Sequence, residues 1–345
     1  MKKLMVSGIM IFCAITASAK VWRINNTPGV TADFISGTAA LASASVVNDD
    51  TLYFEGSATN YTNFTLSKRL VIIGTGYFLS GANSNPGLQA NPNSVFFSNN
   101  TIILDSTGSG SVIMGLDNLQ ITPNGPATLG TATDNITITR CGNLQLTNAF
   151  GVTPNSKMTG WKINKCYLTN IFFLPFVVQN WEITNSIITG NIDISNTNNL
   201  NNLVRNNVFR GSIKIFSGYF SNNIITANTF TTTNVSVKNN ISTGNNLPVG
   251  SGNVNNSTDA ILFQGLTGNS TDGQWQLKPG GTNPAIGGGE TISAITPDCG
   301  AYGTADPYVL SGIPPIPTIY LLTVPSSVAS NAATMPITIS TKSNN

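Results

Sequence analysis

The chain has 345 residues, 9% of them charged and 40% hydrophobic, with a formal net charge of +2 and no histidine. So small a charge gives no pull on nucleic acid or on an anionic membrane. The missing imidazole excludes Ser–His–Asp and Cys–His catalysis and histidine metal sites.

Residues 1–19 read as a secretory leader. Lys2 and Lys3 form its positive end, residues 4–15 its apolar run, and Ala17, Ser18 and Ala19 a small-residue cleavage site. Cleavage is expected just before Lys20. The mature protein is then expected to be secreted, periplasmic or on the outer cell surface, and nearly neutral without Lys2 and Lys3. The competing reading of the leader is a retained membrane anchor. No later segment is apolar enough to span a bilayer.

Residues 32–47 are rich in Ala and Ser, with Phe34, Ile35, Leu41 and Val46 spread along them, and predict a short amphipathic helix. Asn48, Asp49 and Asp50 end it. Strands follow at 51–54, 63–66 and 70–73, the last closed by Gly74, Thr75 and Gly76. Residues 80–135 are less regular. Strands are expected at 95–97, 102–104 and 112–114, between Gly/Asn/Pro loops at 79–93 and 122–134. Long loops on one flank of a solenoid often form its binding face.

From residue 136 to 242 the chain repeats itself. Pairs of residues, apolar except for Asn202 and Asn223, flank one outward residue: Ile136 and Ile138, Trp161 and Ile163, Trp181 and Ile183, Asn202 and Val204, Asn223 and Ile225. Behind them stand Cys141, Cys166, Ser186, Asn207 and Asn228, mostly 20 or 21 residues apart. A second set begins at Leu144, Ile171, Ile192, Ile213 and Val235, with steps of 21, 21 and 22 over the last four. Alternation of this kind is that of a half-buried strand, and a fixed period in the twenties means stacked units. A parallel β-solenoid follows, its coils about 4.8 Å apart. Asn206, Asn207, Asn222, Asn223, Asn239 and Asn240 fall at corners, where Asn tolerates the required backbone. Val204, Ile213, Ile215 and Ile225 are expected in one continuous core. Trp161 and Trp181, in register, form either a core stack or a sugar platform; their phase matches Ile163 and Ile183 and turns them inward.

Pro314, Pro315 and Pro317 then interrupt the pattern. Residues 319–324 and 336–341 predict a hairpin covering the solenoid's exposed C-terminal end. The expected organisation is a leader over 1–19, a solenoid over 20–312 and a Pro-rich segment with a strand pair over 313–345.

The runs Asp-Thr-Leu-Tyr-Phe-Glu-Gly at 50–56, Tyr-Thr-Asn-Phe-Thr-Leu at 61–66 and Lys-Arg-Leu-Val-Ile-Ile-Gly-Thr-Gly at 68–76 resemble the opening coils of the pectin-lyase-like superfamily. Residues 235–241 match the same coil pattern. Residues 275–289, followed by 298–302, are similar to the closing coil of many secreted bacterial members. The resemblance covers residues 21–310, and its style is that of secreted Bacteroidota proteins. It implies an all-β, right-handed, single-stranded parallel β-helix with a short N-terminal capping helix. A fold of this kind hosts many functions.

Three cysteines remain after cleavage, Cys141, Cys166 and Cys299. Cys141 and Cys166 share a column, so they are either bridged or stacked as buried thiols; parallel Cβ vectors favour the thiols. Glycosidase chemistry needs clustered carboxylates. The adjacent acids Asp49 and Asp50 sit at a cap-to-strand turn and read as part of that turn. Lyase chemistry needs a cationic base and a means of neutralising a uronate. Alternation turns Lys162, Glu182, Asp193, Arg205 and Lys214 outward. Arg205, Lys162 and Glu182 are the candidates for catalysis, and Glu182, Arg205, Asp193 and Lys214 those for ligand binding. In the competing reading, Asp193 and Lys214, 21 residues apart, merely pair between neighbouring coils. No face gathers three carboxylates, so neither a metal nor a cofactor is expected.

The expected protein is a monomer without catalytic activity that binds glycan or a cell-surface polymer, or acts as a rigid element. The alternative is a polysaccharide lyase or glycoside hydrolase acting on acidic polysaccharide.

Overall fold

The computed structural model describes residues 19–97, 101–124, 130–148, 153–226 and 229–344. Residues 1–18 of the expected leader, and Asn228, lie outside them. The chain forms an all-β parallel solenoid of about eight turns, with only 6% of its residues helical.

Three faces run along its axis. The first begins with Val21–Ile24, Thr51–Phe54, Val71–Ile73, Val112–Met114 and Thr137–Thr139 in parallel register. It continues through Lys162–Asn164, Glu182–Thr184 and Asn202–Arg205. The second face holds Phe64–Leu66, Thr101–Leu104, Gln120–Pro123, Leu144–Thr147, the end of Tyr167–Phe172, and Ile192–Ile194. The third is shorter, with Ile187–Ile188, Val208–Phe209, Ile224–Ile225 and Ile241–Ser242. Because successive side chains alternate, one residue in two points inward. Ile113, Ile138, Ile163, Ile183, Val204 and Phe220 stack down the inside of the first face and are fully or almost fully buried. Val204, Ile213, Ile215 and Ile225 lie in the same core.

Trp161 and Trp181 are inside, fully buried, their rings 4.9 Å apart and 7° from parallel. Each indole N–H finds a carbonyl, that of Thr133 at 2.9 Å and of Met158 at 3.0 Å. Cys141, Cys166 and Cys299 are buried free thiols.

The corner after the first face requires left-handed backbone. Gly115, Arg140, Lys165, Asn185, Asn206, Asn222 and Asn239 occupy it in successive coils, with φ from 48° to 68°. Asn and Gly accept this conformation most readily. The residue that follows points inward, and from Asn207 onward it is Asn, which builds a buried ladder. Asn207 donates its backbone and side-chain N–H to Asn223 Oδ1 at 2.9 and 3.0 Å. Asn223 donates to Asn240 in the same way, and Asn240 to Asn253.

Four expectations are corrected. The repeat shortens after Asn207: the next ladder position is Asn223, 16 residues on, not Asn228. The cause is Ile213–Ser221, one nine-residue strand that passes from the second face into the first by a single left-handed bend at Ser217 (φ 61°) with no intervening loop; Phe230–Lys238 does the same at Asn234 (φ 54°). Asn223 and Ile225 thus belong to the corner and third face, and Val235 pairs with Gly218 on the first. The helix is also shorter, Gly37–Ala42 instead of 32–47. Its start is set by Ser36, whose hydroxyl accepts Ala39 N–H at 3.2 Å, while Asp33 and Phe34 are drawn into backbone bonds with Arg23.

Residues 275–302 form no closing coil. The C-terminal part folds back along the outside of the solenoid. The side chains of the left-handed corner hold it in reverse order: Asn239 on Gly288 O, Asn222 on Glu290 N, Asn206 on Asp298 O, Asn185 on Thr304, Lys165 on Asp306 and Arg140 on Ile313 O. This layer buries the outward side of the third face in a second core, where Tyr167, Ile187, Val208, Ile224 and Ile241 meet Leu262, Phe263, Trp275 and Tyr308. In consequence the C-terminal strands do not cover the far end. Thr318–Thr323 and Thr338–Lys342 pair antiparallel as expected, but beside the first coils, where Ile319 O accepts Ala90 N–H at 2.8 Å. Leu247 enters the core at the far end instead, next to the bridge between Val254 and Ile241.

Candidate functional site

The five candidates divide between two faces. Lys162, Glu182 and Arg205 lie on the first. Lys162 and Glu182 are partners in neighbouring strands, with Nζ 3.9 Å from Oε2 and both side chains about half exposed. Such a surface pair contributes only about 0–1 kcal/mol. Arg205 stands in a different row, opposite Thr184, and Leu203 is the residue opposite Glu182. The sequence placed Glu182 and Arg205 within one coil of each other; the register does not bring them into one row.

Arg205 turns to the returning segment. Its Nη2 donates to Glu290 Oε2 at 3.0 Å, and the Tyr219 hydroxyl donates to Glu290 Oε1 at 2.6 Å. Lys238 Nζ is 4.0 Å from the same carboxylate, and Glu290 N–H is fixed by Asn222 Oδ1 at 2.8 Å. Burial, reinforced by the Glu290 carboxylate, pushes the Tyr219 hydroxyl up to about 12. At neutral pH it is therefore a hydrogen-bond donor and no base. The cations and the phenol are all committed to Glu290, so the cluster clamps the returning segment to the first face. Glu290 was invisible as a partner in the sequence because it lies 85 residues from Arg205.

Asp193 and Lys214 lie on the second face, in register, with Lys214 Nζ 3.8 Å from Asp193 Oδ2. The pairing between coils is thus realised. Ser195 donates its hydroxyl to Asp193 Oδ1 at 2.6 Å, which fixes that carboxylate further. Together the two residues line a groove of about 450 Å³ with Thr147, Asn170, Phe172, Asn191, Ile192 and Ser212. Thr147, Phe172, Asp193 and Lys214 form one row along the axis. Phe172 is 45% exposed, a large aromatic face turned to solvent between two inward neighbours, Ile171 and Phe173. Beside that row runs a second, exposed ladder. Asn170 Oδ1 accepts Asn191 N–H, and Asn191 Oδ1 accepts Ser212 N–H, each at 2.9 Å. Each of these oxygens takes one N–H, which fixes the amides so that their nitrogens can donate outward.

Phe172 was the residue missed in the sequence. Its signal was present: residues 171–173 are apolar throughout, so the outward middle position is apolar as well. A larger groove, about 670 Å³, lies between Gly130, Lys157, Val177, Gln179 and Leu200. Thr131, Asn155 and Asn198 also line it, so it is polar too, but it has no aromatic and so no flat apolar face for a sugar ring.

Among the described residues no three Cys, Asp or Glu side chains gather as a metal site, and no helix is long and apolar enough to cross a membrane. No protein-family model, curated protein or solved structure matches the chain.

Proposed function

We propose that this is a secreted, non-catalytic β-solenoid of the pectin-lyase-like type, from a bacterium of the Bacteroidota, that binds neutral glycan chains along its second face. The observation that carries this reading is Phe172, exposed in a polar groove and in register with Asp193 and Lys214. Sugar rings present apolar faces with hydroxyls at their edges. A flat aromatic accepts the former, and flanking amides, hydroxyls and a carboxylate the latter. The choice of a neutral chain follows from the charges. Lys214 stands beside Asp193, Lys162 beside Glu182, and Arg205 is bound to Glu290, so each of these cations is offset by a carboxylate and neither face offers a net positive cluster to a uronate. The lyase alternative loses support on the same ground, because its three named residues are engaged with each other or with Glu290. The groove also lies along the solenoid axis, the direction in which an extended polymer would run.

Affinity electrophoresis against neutral and acidic polysaccharides tests the reading. Retention by a neutral polysaccharide is expected, and Phe172→Ala should weaken it about tenfold, equivalent to about 1.4 kcal/mol. Because the side chain is only about half covered, that change should cost no more than about 1 kcal/mol of stability. Phe172→Trp should restore retention. Equal retention of wild type and Phe172→Ala would remove the second face as the binding surface.

A further inference from the structure

The first coil contains a buried carboxylate that, among the described residues, makes no direct ion pair. Asp50 is 1% exposed. Its Oδ1 accepts the backbone N–H of Lys20 at 2.8 Å, and its Oδ2 accepts the Trp22 indole N–H at 2.8 Å and the Val47 N–H at 3.0 Å. Burial pushes this carboxyl up, but the three donors, with the Lys20 charge nearby, outweigh burial and hold it below the usual range, so it carries its charge. No side-chain ammonium or guanidinium forms a direct ion pair with it among the described residues; Lys20 Nζ lies 3.4 Å over the Trp22 ring and attracts the carboxylate only from a distance. A buried charge without a counter-ion is costly, and proteins normally supply one.

The sequence places the expected leader cleavage at the bond to that same Lys20 nitrogen. We propose that removal of the leader completes the first coil: the α-ammonium released at Lys20 becomes the missing partner of Asp50 and locks the first strand into the solenoid. The inference rests on the secretion reading above. The step is a hydrolysis by a signal peptidase. Water adds across the Ala19–Lys20 peptide bond, Ala19 leaves as a carboxylate, and the Lys20 amine takes up a proton, as α-amines do at neutral pH. An amide N–H at 2.8 Å from the carboxylate becomes an ammonium at the same place, so a bond charged on one side only becomes an ion pair, with the close-range attraction of opposite charges added. The strand it anchors is the first of the solenoid. Lys20 O accepts Thr51 N–H at 2.8 Å, and Val21–Ile24 pairs in register with Thr51–Phe54. While the leader is attached, this strand is held by its ladder bonds, by the Arg23–Glu55 ion pair and by the N–H donors to Asp50, and the α-ammonium adds one more charged contact at its start.

The test compares a full-length mature chain beginning at Lys20, released scarlessly from a fusion, with the same chain carrying Ser18 and Ala19. Hydrogen exchange of the amides of residues 21–24 is the readout. Exchange about tenfold slower in the chain with the free Lys20 amine is expected. The difference should vanish when Asp50→Asn is introduced into both. Equal exchange in the two natural-sequence chains would overturn the lock, and that comparison stands even if Asp50→Asn fails to fold. Mass spectrometry of secreted protein beginning anywhere other than Lys20 would overturn the maturation step. Polysaccharide retention measured on the same samples should be equal in all of them; its absence would count against the glycan reading and leave the lock untouched.

Discussion

Replacing Asn223 by Ala lowers the unfolding free energy by about 3–5 kcal/mol, the expected cost of opening a buried polar ladder in its middle. Its Oδ1 accepts Asn207 N–H and Nδ2–H, and its Nδ2 donates to Val204 O at 3.0 Å and to Asn240 Oδ1 at 3.0 Å. Asn207 Nδ2 keeps bonds to Ile183 O and Arg205 O, so the truncation strands chiefly Asn207 N–H and Val204 O. Each buried group left bare costs about 1–3 kcal/mol, and the vacated volume adds to that. Asn191 provides the control. It bonds the backbone of the next coil in the same manner at 2.9 Å, but it is exposed and water replaces what it loses. Asn191→Ala should cost about 1 kcal/mol or less. Urea unfolding of the two variants side by side measures the contrast. Equal costs would mean that burial does not govern the ladder.

Trp181→Ala should be as severe, at about 3–5 kcal/mol, the usual range for removing a buried indole. The ring stacks on Trp161 at 4.9 Å and meets the edge of Phe173 at 5.2 Å. Its N–H also satisfies Met158 O, which would be left without that donor inside the core. A double-mutant cycle with Trp161→Ala isolates the stacking itself, for which a coupling of about 0.5–1.5 kcal/mol is expected. A loss below about 1 kcal/mol for Trp181→Ala would show that neighbouring coils close over the gap.

These two cases mark where the sequence was legible. A side-chain period of two and a coil period near 21 leave little freedom, so the inward phase of Trp161 and Trp181 and the stacking of Lys214 on Asp193 could be read directly. The shortened coil could not. Omitting one turn in Ile213–Ser221 shifts every later position, while Asn223 to Ile225 still mimic a first-face triplet. Local alternation reports which residues are apolar on a strand; it does not report which strand is the neighbour. The returning segment was hidden for a related reason. Glu290 and Asp298 meet Arg205 and Asn206 only because a whole layer folds back, and no local pattern encodes a contact across more than 80 residues. Of the candidate site, Asp193 and Lys214 were found through their charge. Phe172 was passed over because an aromatic among aromatics reads as core until its side of the strand is known.

The most direct measurement of the central claim is incubation of the purified protein with a panel of neutral and acidic polysaccharides, following retention together with the release of reducing and unsaturated ends. Retention of a neutral polymer without accumulation of new ends is predicted, and it should weaken in Phe172→Ala. Turnover of an acidic polysaccharide by many equivalents per protein, abolished in Arg205→Ala with the fold intact by circular dichroism, would contradict the account and establish a lyase on the first face instead.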